Sequence, residues 1–92
     1  MFIDQEDTIC AISTPPGIGG IAVARVSGPD AFGIVSRIWR GCDIETAATH
    51  TAHLGEIIDP ADDSSSLDQA LITLFRAPRS FTGENVVEIS VH

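Results

Sequence analysis

Lysine is absent from this 92-residue sequence, and all five of its basic residues are arginines. The phosphate-binding loop G-x-x-x-x-G-K-S/T requires a lysine, so the sequence excludes that motif. The glycines of segment 17–20 do not form G-x-G-x-x-G either, and a strand pattern follows them where a dinucleotide-binding unit needs a helix. We therefore expect no nucleotide binding through either motif.

Positive charge is scarce throughout the chain. Five basic residues stand against thirteen acidic ones, which gives a formal net charge of −8 at pH 7. Affinity for phosphate backbones comes largely from lysine and arginine, so direct nucleic-acid binding is not expected. The same charge opposes binding to an anionic membrane surface, and no apolar run approaches membrane-spanning length.

Cysteines are few, and their spacing fits no metal motif. Cys10 and Cys42 could form a disulfide, but the acidic N-terminus is no secretory signal, so free thiols and a cytoplasmic location are predicted. The pair His50-x-x-His53 raises the alternative of a metal site completed by Glu56 or Cys42. That spacing suits a helix better than a strand, which favours solvated or hydrogen-bonded histidines.

Aromatic residues make up only 5% of the chain, whereas 43% of it is hydrophobic, so an aliphatic core is expected. Ninety-two residues suit one small domain or a piece of a larger protein. A chain of this size buries a limited fraction of its surface and therefore gains stability from a partner or from dimerisation.

Hydrophobic periodicity predicts five strands. They are Thr8–Ser13, Ile21–Ser27, Thr51–Ile58, Leu67–Phe75 and Val86–His92. The first and fourth carry apolar residues on both faces, which predicts buried positions within a sheet. Residues 59–66 have the composition of a surface turn.

A helix is predicted between the second and third strands. Ser27 and Asp30 suit its N-terminal cap, with Pro29 in the first turn, and Gly41 suits its end. An apolar stripe at helical spacing comprises Ala31, Phe32, Val35, Ile38 and Trp39. Trp39 could stack on a planar ligand, but its place in the stripe favours core packing.

The most distinctive segment is the loop Thr14–Gly20 and the strand after it. Its two prolines cannot lie within a sheet ladder or a helix. Gly17, Gly19 and Gly20 allow positive φ and a close approach of a ligand or another backbone. Arg25 then lies among apolar neighbours, a position that favours a specific anionic or planar partner. The alternative is a tight turn with Arg25 in an ordinary ion pair.

Glu88 lies on the less apolar face of the last strand. It has two interpretations: a charge that protects an edge strand from aggregation, or a carboxylate directed at a polar ligand. The chain stops at His92 within this strand, which predicts a domain truncated at its C-terminal end.

Two long motifs carry a resemblance to a known family. Segments 14–20 and 25–28 have the sequences TPPGIGG and RVSG, and segment 80–89 has SFTGENVVEI, followed by His92. In this order and spacing they closely resemble the N-terminal domain of the bacterial tRNA modification GTPase family MnmE, also called TrmE.

The resemblance covers nearly the whole chain and is strengthened by Asp7–Ile9 and Leu67–Ala70. Residues 42–66 contribute little to it, and Ile18 stands where some members have arginine. It implies that residues 1–92 form one α+β domain, a small mixed β-sheet with one main helix packed on it, which dimerises.

In that family the domain binds a reduced folate, such as 5-formyl-tetrahydrofolate, near the dimer interface. A third folate contact, a lysine, would lie beyond His92. A carboxylate suits the N–H donors of a pteridine edge, and a guanidinium suits carboxylates and planar rings. The loop glycines would let the backbone approach the ligand or the other subunit. The resemblance thus assigns cofactor binding to Arg25, Glu88, Gly17, Gly19 and Gly20.

The resemblance also implies a longer parent protein with a helical domain and an inserted GTPase domain that uses GTP, magnesium and potassium. With an FAD-containing partner, MnmG (GidA), this parent modifies the wobble uridine of certain tRNAs. The present chain would then be a non-catalytic module. Two alternatives are a purely structural dimerisation domain with an incomplete folate site, and a small hydrolase that uses His50, His53 or His92.

Overall fold

Six strands and one short helix make up the part of the chain described by the computed structural model, which covers residues 8–12, 22–62, 65–80 and 83–91. In chain order they are β1 (Ile9–Ile12), β2 (Ala22–Ser27), α1 (Ala31–Ser36), β3 (Trp39–Arg40), β4 (Thr51–Asp59), β5 (Ser65–Phe75) and β6 (Val86–Val91). The five predicted strands are confirmed, with ends that differ by one or two residues. No helix in these ranges is long and apolar enough to cross a membrane.

The six strands form one sheet in the order β1-β2-β6-β5-β4-β3. Each of the five pairings between neighbours is antiparallel. A helix on a small sheet agrees with the predicted α+β class, but among the described strands the sheet is antiparallel and not mixed. β6 is the last strand in sequence, yet it lies between β2 and β5.

The hydrophobic core lies between α1 and one face of this sheet. The helix contributes Ala31, Phe32 and Val35, and the sheet contributes Val26, Ala70, Ile72, Leu74, Val87 and Ile89. These positions follow the period of two along each strand, so the opposite face of the sheet is left without a helix packed on it in the described chain.

The helix is shorter than its apolar stripe predicted. It ends at Ser36, and Trp39 lies in β3, where its indole is buried and its Nε1–H donates to the carbonyl of Cys42 at 3.1 Å. Core packing of Trp39 is confirmed. Ser27 belongs to β2 and does not cap the helix. Asp30 holds the N-cap position without a side-chain cap bond.

β1 was predicted to be buried, and that prediction is wrong. It is the outermost strand beside β2, and all four of its residues are exposed. Ile9 and Ile12 are 51% and 68% exposed. In the described part of the sheet, this short strand with apolar residues on both faces is therefore an edge strand, and not an internal one.

The central position of β5 is confirmed, since it pairs with β4 and β6. Its two faces differ, however. Ala70, Ile72 and Leu74 are buried, whereas Leu67 and Leu71 are exposed on the other side. Both cysteines are free thiols, as predicted: Cys10 is exposed and Cys42 is half-buried.

Candidate functional site

Arg25 and Glu88 face each other across β2 and β6. The two residues are direct partners in the strand register, and Arg25 Nη2 donates to Glu88 Oε1 at 3.3 Å. Their side chains are 36% and 23% exposed, so the pair is partly withdrawn from water while remaining accessible. The fold thus joins two charged groups that are 63 positions apart in sequence.

This ion pair lies on the face of the sheet opposite α1, because its neighbours along each strand point into the core. Thr73 of β5 is the register partner of Glu88 on its other side, and Ala11 of β1 is the partner of Arg25. The residues that flank the pair across the sheet are therefore a small alanine on one side and a polar threonine on the other. A carboxylate can accept about four hydrogen bonds, so Glu88 can accept one from Arg25 and still receive donors from a ligand.

The interpretation of Glu88 as an edge-strand charge is wrong, because β6 is flanked by β2 and β5. The position therefore gives no protection against edge-to-edge pairing, and a ligand role for Glu88 remains a prediction. Arg25 has an ion-pair partner, as the simpler alternative proposed. The predicted glycines Gly17, Gly19 and Gly20 lie outside the described residues.

A concave cavity of about 880 Å³ opens at the end of β5. Its lining residues are Thr49, His50, Phe75, Pro78, Arg79 and Ser80. Neither Arg25 nor Glu88 lines it. Phe75 connects the two places, since it is the register partner of Val86, two residues before Glu88 on the same face. Such diagonal neighbours are about 7–8 Å apart, so Phe75 is the lining residue that the strand register relates to Glu88.

His50 forms one wall of the cavity and has an unusual backbone conformation. Its φ is 60°, in the left-handed region, and its N–H donates to the carbonyl of Leu74 at 2.7 Å. The imidazole meets the ring of Phe75 edge-on, with centroids 5.2 Å apart, and its Nδ1 lies 2.9 Å from the hydroxyl of Thr49. These contacts hold the ring in the cavity wall.

His50 and His53 are hydrogen-bonded, as predicted, and each has a threonine hydroxyl as its partner. His53 Nε2 lies 2.8 Å from the hydroxyl of Thr51, so each imidazole has a local partner. Within the described ranges, no group of three or more histidine, cysteine, aspartate or glutamate residues could hold a metal ion.

Arg76 has a structural role that the sequence did not reveal. Its Nε donates to the carbonyl of Ala47 at 2.7 Å, and its Nη2 donates to the carbonyls of Ile44 and Glu45 at 2.8 and 2.7 Å. The guanidinium also lies 4.8 Å from the centroid of the Phe32 ring. These hydrogen bonds hold the loop between β3 and β4 against the end of β5. An arginine directly after a buried strand was the only signal.

A second ion pair provides a natural comparison for the first. Arg40 and Glu56 are register partners on β3 and β4, and Arg40 Nη2 lies 3.3 Å from Glu56 Oε2. Their side chains are more exposed than those of Arg25 and Glu88. A hydrogen bond from Ser66, and then the Arg40 guanidinium, lower the pKa of Glu56. The nitrogen–oxygen distance is the same in both pairs, but this one lies at the β3 edge of the sheet, whereas Arg25 and Glu88 lie on internal strands.

A family model described as the N-terminus of the GTP-binding protein TrmE matches residues 8–92. Several similar proteins carry the name tRNA modification GTPase MnmE. The one from Lactobacillus acidophilus is 49% identical over 90 residues, or 98% of this chain. The one from Latilactobacillus sakei is 46% identical over 90 residues, and the one from Chlamydia trachomatis serovar L2 is 53% identical over 88 residues, or 96% of this chain.

The chain spans only 19% of the length of each of these relatives. Their name therefore describes much longer proteins, in which the region similar to this chain is one part.

Proposed function

The chain belongs to the TrmE N-terminal family, and on that premise we propose that it is the tetrahydrofolate-binding and homodimerisation module of a tRNA modification GTPase. The ligand is 5-formyl-tetrahydrofolate or a related reduced folate, and Arg25 and Glu88 contact it. The observation that carries the proposal is the ion pair between these two side chains on the sheet face that α1 leaves uncovered.

The chemistry of the pair suits a folate. The pteridine edge presents N–H donors, and Glu88 has acceptor positions left beside the one that Arg25 occupies. Arg25 orients the carboxylate and offers a planar cation to the ligand. Because both side chains keep part of their surface exposed, a ligand can reach them without unfolding the sheet. Gly17, Gly19 and Gly20 would bring loop backbone close to the ligand or to the second subunit.

The remaining functions belong to the parent protein in this proposal. GTP, magnesium and potassium act in its GTPase domain, and an FAD-dependent partner of the MnmG (GidA) type joins it in modifying the wobble uridine of tRNA in the cytoplasm. Residues 1–92 catalyse no step themselves. With a net charge of −8, they contribute little to tRNA affinity.

Calorimetry with 5-formyl-tetrahydrofolate tests the ligand site. Arg25→Ala and Glu88→Ala are each expected to weaken binding by about 10- to 100-fold, since each removes a hydrogen bond to a charged group. The matched control is Arg40→Ala, which breaks a cross-strand pair of the same 3.3 Å length away from the site. It should leave the affinity unchanged. Equal affinities for all four proteins would show that the residue assignment is wrong.

A purely structural dimerisation domain is the second candidate, and the exposed β1 edge favours it. Among the described residues no strand pairs with the outer side of β1, and its exposed isoleucines present apolar surface to a second copy. In that case the chain would dimerise without any affinity for folate, so calorimetry separates the two candidates.

Dimerisation through β1 makes its own prediction. Ile12→Lys should shift the dimer toward monomer, because it places a charge on the apolar edge. Leu54→Lys, at an equally exposed position on β4, should not. Sedimentation velocity across a concentration series measures both. An unchanged dimer in Ile12→Lys, or a shift of the same size in Leu54→Lys, would show that β1 does not lie in the dimer interface.

A further inference from the structure

Three exposed leucines lie together on the sheet face opposite α1. Leu54 and Leu71 are register partners on β4 and β5, and Leu67 lies four residues before Leu71 on the same face of β5. Leu54 is 73% exposed, Leu71 40% and Leu67 64%. Single exposed apolar residues are ordinary, whereas several on one face indicate an interaction surface. We call these three residues the leucine stripe.

Polar side chains lie between and beside these leucines. Glu56 and Gln69 are register partners in the row between Leu71 and Leu67, and Ser90 of β6 is the other partner of Leu71. The centre of a permanent interface is depleted of charged residues, whereas a reversible interface keeps about the polarity of an ordinary protein surface. The leucine stripe therefore suits a partner that binds and dissociates better than a segment that covers it permanently.

The hairpin that carries the leucine stripe is strongly acidic. Residues 51–75, which include β4 and β5, contain five of the thirteen acidic residues and none of the five arginines. Arg40 of β3 pairs with Glu56, so the hairpin keeps a clear excess of negative charge. A second copy of this face would meet it with like charge, which opposes self-association, and an anionic membrane would be repelled as well. Charge complementarity therefore favours a basic protein partner.

We propose that the leucine stripe is the docking site for a basic amphipathic helix of a separate protein. A sheet face with exposed apolar residues is completed when a helix packs across it. From Leu67 to Leu71 the stripe extends about 13 Å along β5, a length that about nine helical residues cover. Apolar residues of the helix contact the leucines, and its lysines or arginines are attracted by the charge of the hairpin. The proposal is independent of folate binding.

Two synthetic peptides test the proposal. One is a helix of about five turns with leucines along one face and lysines on the rest of its surface, and the other has glutamate in place of every lysine. Fluorescence anisotropy measures the binding of each labelled peptide to the chain. The lysine peptide is expected to bind, and the glutamate peptide should bind about tenfold more weakly or not at all.

An apolar substitution with a matched control tests the leucines. The double variant Leu54→Ser/Leu71→Ser should weaken binding of the lysine peptide by about tenfold or more, because two buried leucine contacts are lost. Ile34→Ser, at an isoleucine of α1 that is 45% exposed, should leave the affinity unchanged. Thermal melting shows that each variant is folded.

A second pair of variants tests the charge of the hairpin. Asp62→Asn/Asp68→Asn removes two exposed charges from it and should weaken binding of the lysine peptide by about threefold at low salt. Asp30→Asn/Glu45→Gln removes two exposed charges outside the hairpin and should have no effect.

Four results would overturn the proposal. They are no binding of the lysine peptide by the unsubstituted chain, equal binding of the two peptides, full affinity in Leu54→Ser/Leu71→Ser, and dissociation of a dimer by that variant in sedimentation velocity. Dissociation would mean that a second copy covers the stripe. The longer parent protein of the proposed function should also bind the lysine peptide. Binding by the 92-residue chain alone would show that the rest of the parent covers the stripe, which would exclude a separate partner.

Discussion

Replacing Arg76 with alanine is expected to destabilise the chain by about 4 kcal/mol. The substitution leaves three carbonyls of the loop between β3 and β4 without their charged donor, and hydrogen bonds to charged groups contribute about 1.5–3 kcal/mol each. Water can replace the donor only at the exposed carbonyl of Glu45. The packing of the guanidinium on Phe32 is lost as well. Urea unfolding followed by circular dichroism measures the loss.

Two controls test whether the geometry of Arg76, and not its charge alone, is responsible. Arg76→Lys keeps the charge but cannot reach three carbonyls from one planar group, so it should recover only part of the stability. Arg37→Ala removes an exposed arginine with no described partner and should change stability by less than about 0.5 kcal/mol. Full stability in Arg76→Lys would show that the positive charge alone accounts for the contribution of Arg76, and that the planar guanidinium is not required.

Gly55→Ala is expected to destabilise the chain by about 3 kcal/mol, at the upper end of the usual cost of overpacking. A Cβ on Gly55 would lie 2.5 Å from Cη2 and Cζ2 of Trp39 and 2.5 Å from the carbonyl oxygen of Arg40. The indole is buried and the carbonyl belongs to the neighbouring strand, so neither can move freely. For a domain of this size, the midpoint of thermal unfolding should fall by about 15 °C.

Gly33→Ala is the matched control for that substitution. Gly33 lies within α1, and a Cβ there meets nothing within 4 Å. Because alanine is the better helix former, this variant should gain about 0.5–1 kcal/mol. Opposite signs for the two glycine-to-alanine changes are therefore expected. A neutral result at Gly55 would mean that Trp39 has room to move.

The strands could be predicted from the sequence because their signals are local. Alternating or continuous apolar residues lie within each segment, and five of the six described strands were found in this way. The helix end could not be predicted, since Ile38 and Trp39 continue the helical period although the chain has already turned into β3. That strand has only two residues, too few for any period to appear.

The order of the strands is not a local property, and the errors at β1 and Glu88 both arise from this. Nothing within residues 9–12 shows that β1 is outermost among the described strands, and nothing within β6 shows that it lies between two others. The same limit applies to Arg76 and Arg79. Both are polar residues after a buried strand, and only the fold shows that one binds backbone carbonyls while the other lines a cavity.

The insertion of β6 between β2 and β5 has a consequence for biosynthesis. Among the described strands, the β1–β2 hairpin joins the rest of the sheet through β6 alone. Synthesis must therefore pass β6 before these two parts of the sheet can pair, and pairings of such long sequence separation form slowly. Nascent chains that stop short of residue 86 carry Arg25 without its carboxylate partner, so the Arg25–Glu88 ion pair forms only after β6 has been synthesised.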